Sequence, residues 1–308
     1  MTQKIRNILI IADIEGSSGC WDYEASSFMT EPWCHACAEM SRDVNAVGRA
    51  LLNAGVEHIR VKDFHRTGFN LLPELIDSGI TIASGYDRSP IPGIGDPGDA
   101  QAVVFLGMHA ASGTDGFLSH TLTSRIEYLM VNGKPLAEVE LFCASLAPWG
   151  IRPIFFSGCP AACRQAQQAI PNINVYPINK SMGAENLDVT DWRAGLARAV
   201  VESLSNDSTV PYTPAGPFNA IIQMRDGKKT AIRMAKRWGF ARQDNQILIN
   251  AECIRALYLD LIRLCYLTPL IERFLPVALL IYNLWGRAGR VWARHRLKSH
   301  AMHTDRCR

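Results

Sequence analysis

Carboxylates and imidazoles recur in this sequence directly behind its most apolar runs. Asp13-Ile14-Glu15-Gly16 follows Asn7–Ala12, Asp63-Phe64-His65 follows His58–Lys62, and His109-Ala110 follows Ala102–Gly107. Ser119-His120 comes shortly afterwards, and Glu138 and Glu140 stand at the opening of a later helical stretch. With the chain still extended at Asp13 and Glu15, both side chains point the same way, because strand side chains alternate with period two. Two carboxylates in one pocket repel, and burying both ionised is costly unless a cation compensates. Imidazoles beside them make a mixed oxygen and nitrogen donor set, which suits zinc, manganese or similar ions. Five such donors exceed what one tetrahedral zinc with an open position needs. A bridged pair of ions about 3.5–4 Å apart uses them all, activates a water and polarises a carbonyl or phosphoryl oxygen. Singly, each residue has a blander use: an Asp at a strand end caps a helix, and a His beside an apolar run is a satisfied core residue. Their joint placement points to a metal centre instead.

The surrounding pattern supplies the elements to hold such a centre. Asn7–Ala12 is a continuous aliphatic run, as in a strand buried on both faces. Met40, Val44, Val47 and Leu51 repeat at helical spacing over Cys37–Asn53, which closes at Ala54-Gly55. Further strands are expected at His58–Lys62, Thr81–Ala83, Ala102–Gly107, Leu129–Val131 before an Asn132-Gly133 turn, Ile151–Ser157 and Phe218–Arg225. Helices are expected at Leu136–Pro148, Trp192–Leu204 and Cys253–Leu267, while Thr230–Arg242 is basic and fits neither period. Repeated strand–helix–strand units imply an α/β fold with a mostly parallel sheet and helices on both faces. Such sheets place their crevice beyond the carboxyl ends of the strands, where all the candidate residues fall. The expected organisation is a metal-binding catalytic domain over 1–180, a smaller α+β subdomain over 181–268, and an apolar-then-basic helical extension over 269–308.

Composition narrows the class. The 308 residues are 48% hydrophobic and 20% charged, enough for a large core and far from disordered or fibrous chains. A net charge of +3, from 32 basic and 29 acidic residues, is too even to point to nucleic acid. Nine irregularly spaced cysteines suggest reduced thiols rather than a disulfide scaffold, and Asp13 interrupts the first apolar run too early for a secretory core. A cytoplasmic protein is expected. Phe274–Gly286 is uncharged but too short to span a bilayer. The basic segment beyond it carries Trp285 and Trp292 on one helical face, so it is either a weak contact with anionic lipid or a solvated tail.

An ordered series of motifs resembles the DppA-type zinc D-aminopeptidases. It comprises Ala12-Asp13-Ile14-Glu15-Gly16 with Ser18-Gly19 beyond, Val61-Lys62-Asp63-Phe64-His65, Phe105-Leu106-Gly107-Met108-His109-Ala110, Leu118-Ser119-His120, and Val131-Asn132-Gly133-Lys134-Pro135-Leu136-Ala137-Glu138. The resemblance covers residues 5–180 well, 180–268 loosely, and the tail not at all. It implies two zinc ions per chain, with Asp13 bridging, Glu15 and His65 completing one site, and His109 and Glu138 the other. Glu140 is an alternative to Glu138, whose Gly-Lys-Pro-Leu-Ala-Glu context fits better. His120 would be the catalytic residue, and acid–base work suits it, since a metal-bound hydroxide already supplies a nucleophile while the leaving amine needs a proton. The implied reaction removes an N-terminal D-residue from a short peptide, inside a homo-oligomer that the family builds as a decamer.

The sequence departs from the family at Gly158-Cys159-Pro160, where acidic residues are usual, which puts D-peptide preference in question. An amidohydrolase with the same site, or a non-catalytic binding or assembly protein using the basic tail, are the rival readings. Cys34-His35-Ala36-Cys37 lacks a second cysteine pair at zinc-knuckle spacing, and Lys180 reads as a substrate-carboxylate partner or a solvated lysine.

Overall fold

The computed structural model describes residues 4–87 and 89–306, with backbone alone at 300–306; Cys307 and the side chains of the last basic turns lie outside the described residues. The chain begins with β1 (Asn7–Ala12), α1 (Glu31–Asn53), β2 (His58–Asp63), β3 (Ile80–Ala83) and β4 (Ala102–Met108). A hairpin of β5 (Ile126–Val131) and β6 (Lys134–Pro135) leads to α2 (Glu138–Leu146), β7 (Arg152–Gly158), α3 (Pro160–Ala169) and β8 (Asn174–Pro177). Then come α4 (Val189–Ser203), β9 (Phe218–Met224), α5 (Lys228–Trp238), β10 (Ala241–Gln243), β11 (Gln246–Ala251), α6 (Ile254–Tyr266), α7 (Pro269–Arg273) and α8 (Leu275–Arg306).

Six strands form a parallel sheet in the order β3-β2-β1-β4-β7-β8. The order reverses between β1 and β4, the switch point at which open sheets of this kind form their crevice. Ala12 pairs with Asp63 on one side and Leu106 on the other, so β1, β2 and β4 end level with one another. Both faces of β1 and β4 are covered, which is why their sequences are unbroken apolar runs. Leu9, Ile11, Val103 and Phe105 share one core with α2, α3 and the second sheet. Ile8, Ile10, Val104 and Leu106 pack with α1 and α4.

The second sheet is antiparallel, in the order β10-β11-β9-β5-β6. It thus joins a hairpin from before residue 180 to strands from beyond 215, while α4 covers the parallel sheet. The ambiguous stretch from Thr230 became α5, whose Thr230, Ala231, Met234 and Ala235 are buried; the basic residues that blurred its period occupy the outward face.

The C-terminal segment forms one helix, α8, that docks against α1 and the β2–β3 connection. Its approach needs glycine: a Cβ on Gly286 would meet Phe69 at 2.5 Å, and one on Gly289 would meet Phe28 at 2.1 Å. Trp292 stacks on Trp33 and faces the protein, while Trp285 touches Phe28 edge-on and leaves half of its surface exposed. Asn283 accepts from the Tyr86 backbone N–H at 3.0 Å. No described helix is long and apolar enough to cross a membrane.

Candidate metal centre

The loop after β1 is strapped to β4. Asp13 N donates to Leu106 O at 2.9 Å and Gly16 N to Gly107 O at 2.7 Å. Gly107 has φ +72, and a Cβ there would lie 2.2 Å from Asp13 O, so only glycine lets the two backbones approach this closely. On the far side, Ser18 is held by Asp43, its N–H and hydroxyl each donating at 2.8 Å, and Arg193 Nε bonds Asp43 Oδ1 at 2.7 Å. Lys180 is buried, donates to Cys20 O at 2.7 Å and to Ser17 O, and sits 4.5 Å over the Trp21 ring. Burial lowers its ammonium pKa to about 8. It pins this loop from beneath, which corrects both the substrate-binding and the solvated expectation.

This scaffold brings the expected residues together. Asp13 Oδ1 and Glu15 Oε2 each lie 3.1 Å from His65 Nδ1, while Asp13 Oδ2 lies 3.5 Å from His109 Nε2. Glu138 Oε1 stands 3.5 Å from the same His109 nitrogen and accepts Leu122 N–H at 2.6 Å. Asp13, Glu15, His65, His109 and Glu138 are all buried. His120, half-buried, stacks on His109 with centroids 3.7 Å apart. The donors fall into two close groups, Asp13 with Glu15 and His65, and His109 with His120 and Glu138, each within 4.8 Å. Asp13 faces both.

Carbonyl oxygens set the orientation of the rings. A carbonyl only accepts, so the ring nitrogen facing it carries the hydrogen. His65 Nε2 meets Ser26 O at 2.8 Å, His109 Nδ1 meets Ala110 O at 3.1 Å, and His120 Nδ1 meets Leu118 O at 2.8 Å. This turns His65 Nδ1 and His109 Nε2 toward the carboxylates as lone-pair donors, the arrangement typical of metal-binding histidines. Without positive charge the site is frustrated: His65 Nδ1 and two carboxylate oxygens converge within 3.1 Å. Glu15 Oε2 and His109 Nε2 are buried without a hydrogen-bond partner.

The electrostatics agree. Burial alone would lower the pKa of His65 and His109, yet the carboxylates, led by Glu15 and Glu138 respectively, raise both to about 10. Burial raises the Asp13 carboxyl, but the two imidazoles outweigh it and hold it well below the usual range. Glu15 is pushed up by burial and by the charge of Asp13. Burial and the neighbouring His109 lower His120 to about 4. A cavity that draws protons onto two buried imidazoles is one that a multivalent cation neutralises as well, and the donor set fits that cation.

The other candidates fall elsewhere. Glu140 accepts Ala137 N–H at 2.9 Å and the Tyr212 hydroxyl at 3.1 Å, so it caps α2 and leaves the cavity to Glu138. Asp63 accepts the backbone N–H groups of Asn70 and Leu71 at 2.5 and 2.9 Å. Asn70 in turn donates to His65 O at 2.7 Å and accepts from Trp33 Nε1 at 2.9 Å. Ser26, Asn70 and Trp33 carried no motif signal, since their part is played through backbone atoms and distant partners. Cys34 and Cys37 are buried in α1, where desolvation pushes Cys34 up to about 11 and Cys37 well above the usual thiol value, leaving protonated thiols unsuited to zinc or redox work. Cys159 precedes α3, its neighbour Pro160 in the first turn.

A family model described as M55 peptidase, D-aminopeptidase, matches residues 7–257. A curated D-aminopeptidase of Bacillus subtilis strain 168 is 24% identical over 208 residues, spanning 66% of this chain and 75% of that protein. Among solved structures, the Zn-dependent D-aminopeptidase DppA of Bacillus subtilis, a self-compartmentalizing protease, superposes with a TM-score of 0.74 at 21% identity. That match covers 83% of this chain and 96% of the other, and shows a common α/β fold. Because this family model spans residues 7–257, well over half of the 308, the chain belongs to the M55 peptidase family of D-aminopeptidases.

Proposed function

We propose that this chain releases an N-terminal residue, of D configuration, from short peptides with two zinc ions held in the cavity. Asp13, Glu15 and His65 would hold one ion and Asp13, His109 and Glu138 the other, with Asp13 shared. When bound, such a pair supplies Lewis-acid polarisation of the scissile carbonyl and a water acidic enough to act near neutral pH. The observation that carries the reading is Asp13, whose two oxygens face two different histidines at 3.1 and 3.5 Å. His120 moves the proton: with Nδ1–H engaged by Leu118 O, its Nε2 is left to take a proton from water and return it to the departing amine. Burial keeps this ring mostly neutral near pH 7, the form a base needs. The Zn dependence and self-compartmentalizing nature of the structural relative support zinc and a homo-oligomer here, with the decamer the family builds as the expected size. Eight described cysteines are unpaired, in keeping with a cytoplasmic setting.

The test is metal analysis of the purified chain together with hydrolysis of D- and L-aminoacyl amides and dipeptides. Two zinc ions per chain and cleavage of D-substrates are expected. Two ions with no cleavage of either enantiomer would remove the peptidase and leave the metal site, whereas absence of metal after gentle purification would overturn the site itself.

A further inference from the structure

The outward face of α8 is apolar. Phe274 precedes the helix, Val277, Leu280, Ile281 and Leu284 follow at three- and four-residue steps, and Val291 stands two turns further on, each 52–62% exposed. Residues three and four apart are neighbours on a helix, so Phe274 to Leu284 form one row, which Val291 resumes beyond Arg287. The opposite side of α8, through Gly286, Gly289 and Ala293, is buried against the protein. Burial of the inner face is therefore complete while the row outside has no cover, and a row of this size on a protein surface marks an interaction site.

Charge states what the cover is. From Arg273 to Lys298 the chain carries Arg273, Arg287, Arg290, Arg294, Arg296 and Lys298 and no acidic residue. Arg294 is paired with Glu74 at 2.6 Å and Arg296 with Glu31. Arg273, Arg287, Arg290 and Lys298 have no carboxylate partner among the described residues. Arg287 neighbours both Leu284 and Val291 of the apolar row. With Arg290 it also lines a groove of about 620 Å³ that holds Ile76, Ile80 and Ile82 and one carboxylate, Asp77, itself paired with Arg49 at 4.0 Å. Both guanidiniums lie over Phe69, 5.9 and 5.0 Å from its ring centre, and Arg290 reaches Ser84 Oγ at 3.1 Å.

We infer that α8 holds this protein on an anionic phospholipid surface, its apolar row at the boundary of headgroups and acyl chains and the Arg287–Arg290 groove facing lipid phosphates. An apolar stripe flanked by cations is what an in-plane interfacial helix requires. A second copy pairing helix to helix would set cations against cations, since the chain carries no acidic residue from Arg273 to Lys298. The helix is anchored by Gly286, Gly289 and Asn283, so its apolar row is displayed on a rigid body and needs no folding on contact. Of the two helix tryptophans, Trp292 turns inward onto Trp33, while Trp285, 52% exposed, borders the aliphatic row beside Ile281.

Sedimentation of the full chain with vesicles tests this. Binding to equimolar phosphatidylglycerol–phosphatidylcholine vesicles is expected, with little binding to phosphatidylcholine alone. Arg287→Glu is expected to weaken it about tenfold or more, since each basic residue near such a surface contributes several-fold. Leu280→Glu with Leu284→Glu is expected to abolish it while circular dichroism and peptidase activity in solution stay unchanged, because both side chains are exposed. Equal binding to neutral and anionic vesicles, or none to either, overturns the inference. So does a native self-association, seen by sedimentation velocity, that Leu284→Glu dissolves without any vesicle binding, since the cover is then a second copy.

Discussion

Two regions of this molecule invert the usual distribution of polarity, in opposite senses. Behind β1, three carboxylates and two imidazoles are buried; along α8, a row of aliphatic side chains is in water. Ionised groups inside and large apolar groups outside both cost free energy unless something absent from the chain compensates. The cavity asks for a small dense positive charge, the helix for a broad apolar and anionic surface. The two differ in how they are built. The cavity draws its donors from four strand ends and loops, each oriented by a carbonyl or a backbone N–H, and a displaced member ruins the set. The α8 row is a single element in which neighbours substitute for one another.

That difference orders the expected effects. Asp13→Asn removes the group shared by both donor clusters and should eliminate zinc binding and peptidase activity together, read by metal analysis and turnover; full metal content in this variant would break the contrast. His120→Ala should retain zinc and lower kcat by about 10²–10⁴, the usual worth of a positioned acid–base group. Loss of metal in that variant would make His120 a ligand instead.

Between the two regions lies Lys62, buried under Gly85 O and 5.2 Å from the Tyr86 ring that Asn283 of α8 secures. Burial lowers its pKa to about 8 against a usual 10.5. Between those values the unfolded chain binds more protons, so stability rises with pH there. Denaturation midpoints should show the native protein gaining about 3 kcal/mol relative to Lys62→Met between pH 8 and 10.5. Parallel profiles for the two proteins would refute this. Smallest in effect is Gly289→Leu, which must displace Phe28 and should destabilise by about 1–3 kcal/mol with a modest loss of zinc retention. Its thermal midpoint and metal analysis, taken together, test whether the docked helix and the cavity are separable.

The parallel sheet was legible because strands buried on both faces leave unbroken aliphatic text, as in Asn7–Ala12 and Ala102–Met108. The donor residues were legible because an open sheet turns strand ends into a site, so Asp13, His65 and His109 stood out by position. What held them in place was not. The carbonyl of Ser26 has no signature, and Lys180 reaches Ser17 and Cys20 across more than half the chain. Arg193 meets Asp43 from an equally remote helix. The second sheet was hidden for a related reason: β5 pairs with β9, and no local pattern encodes which distant strand completes a hairpin. In the tail, helical periodicity was visible, but the docking face was set by Phe28, Phe69 and two glycines, contacts that no local pattern encodes.

Trp33 gives these distant parts a common fate. Its ring carries Trp292 of α8 on one side, and its indole N–H grips Asn70, which holds the carbonyl of His65. A helix lying beyond the segment shared with the family is thereby wired, through two side chains, to a ring at the heart of the enzyme. Peeling that helix away would slacken the His65 loop, so wear at the periphery should surface as leakage of metal from the centre.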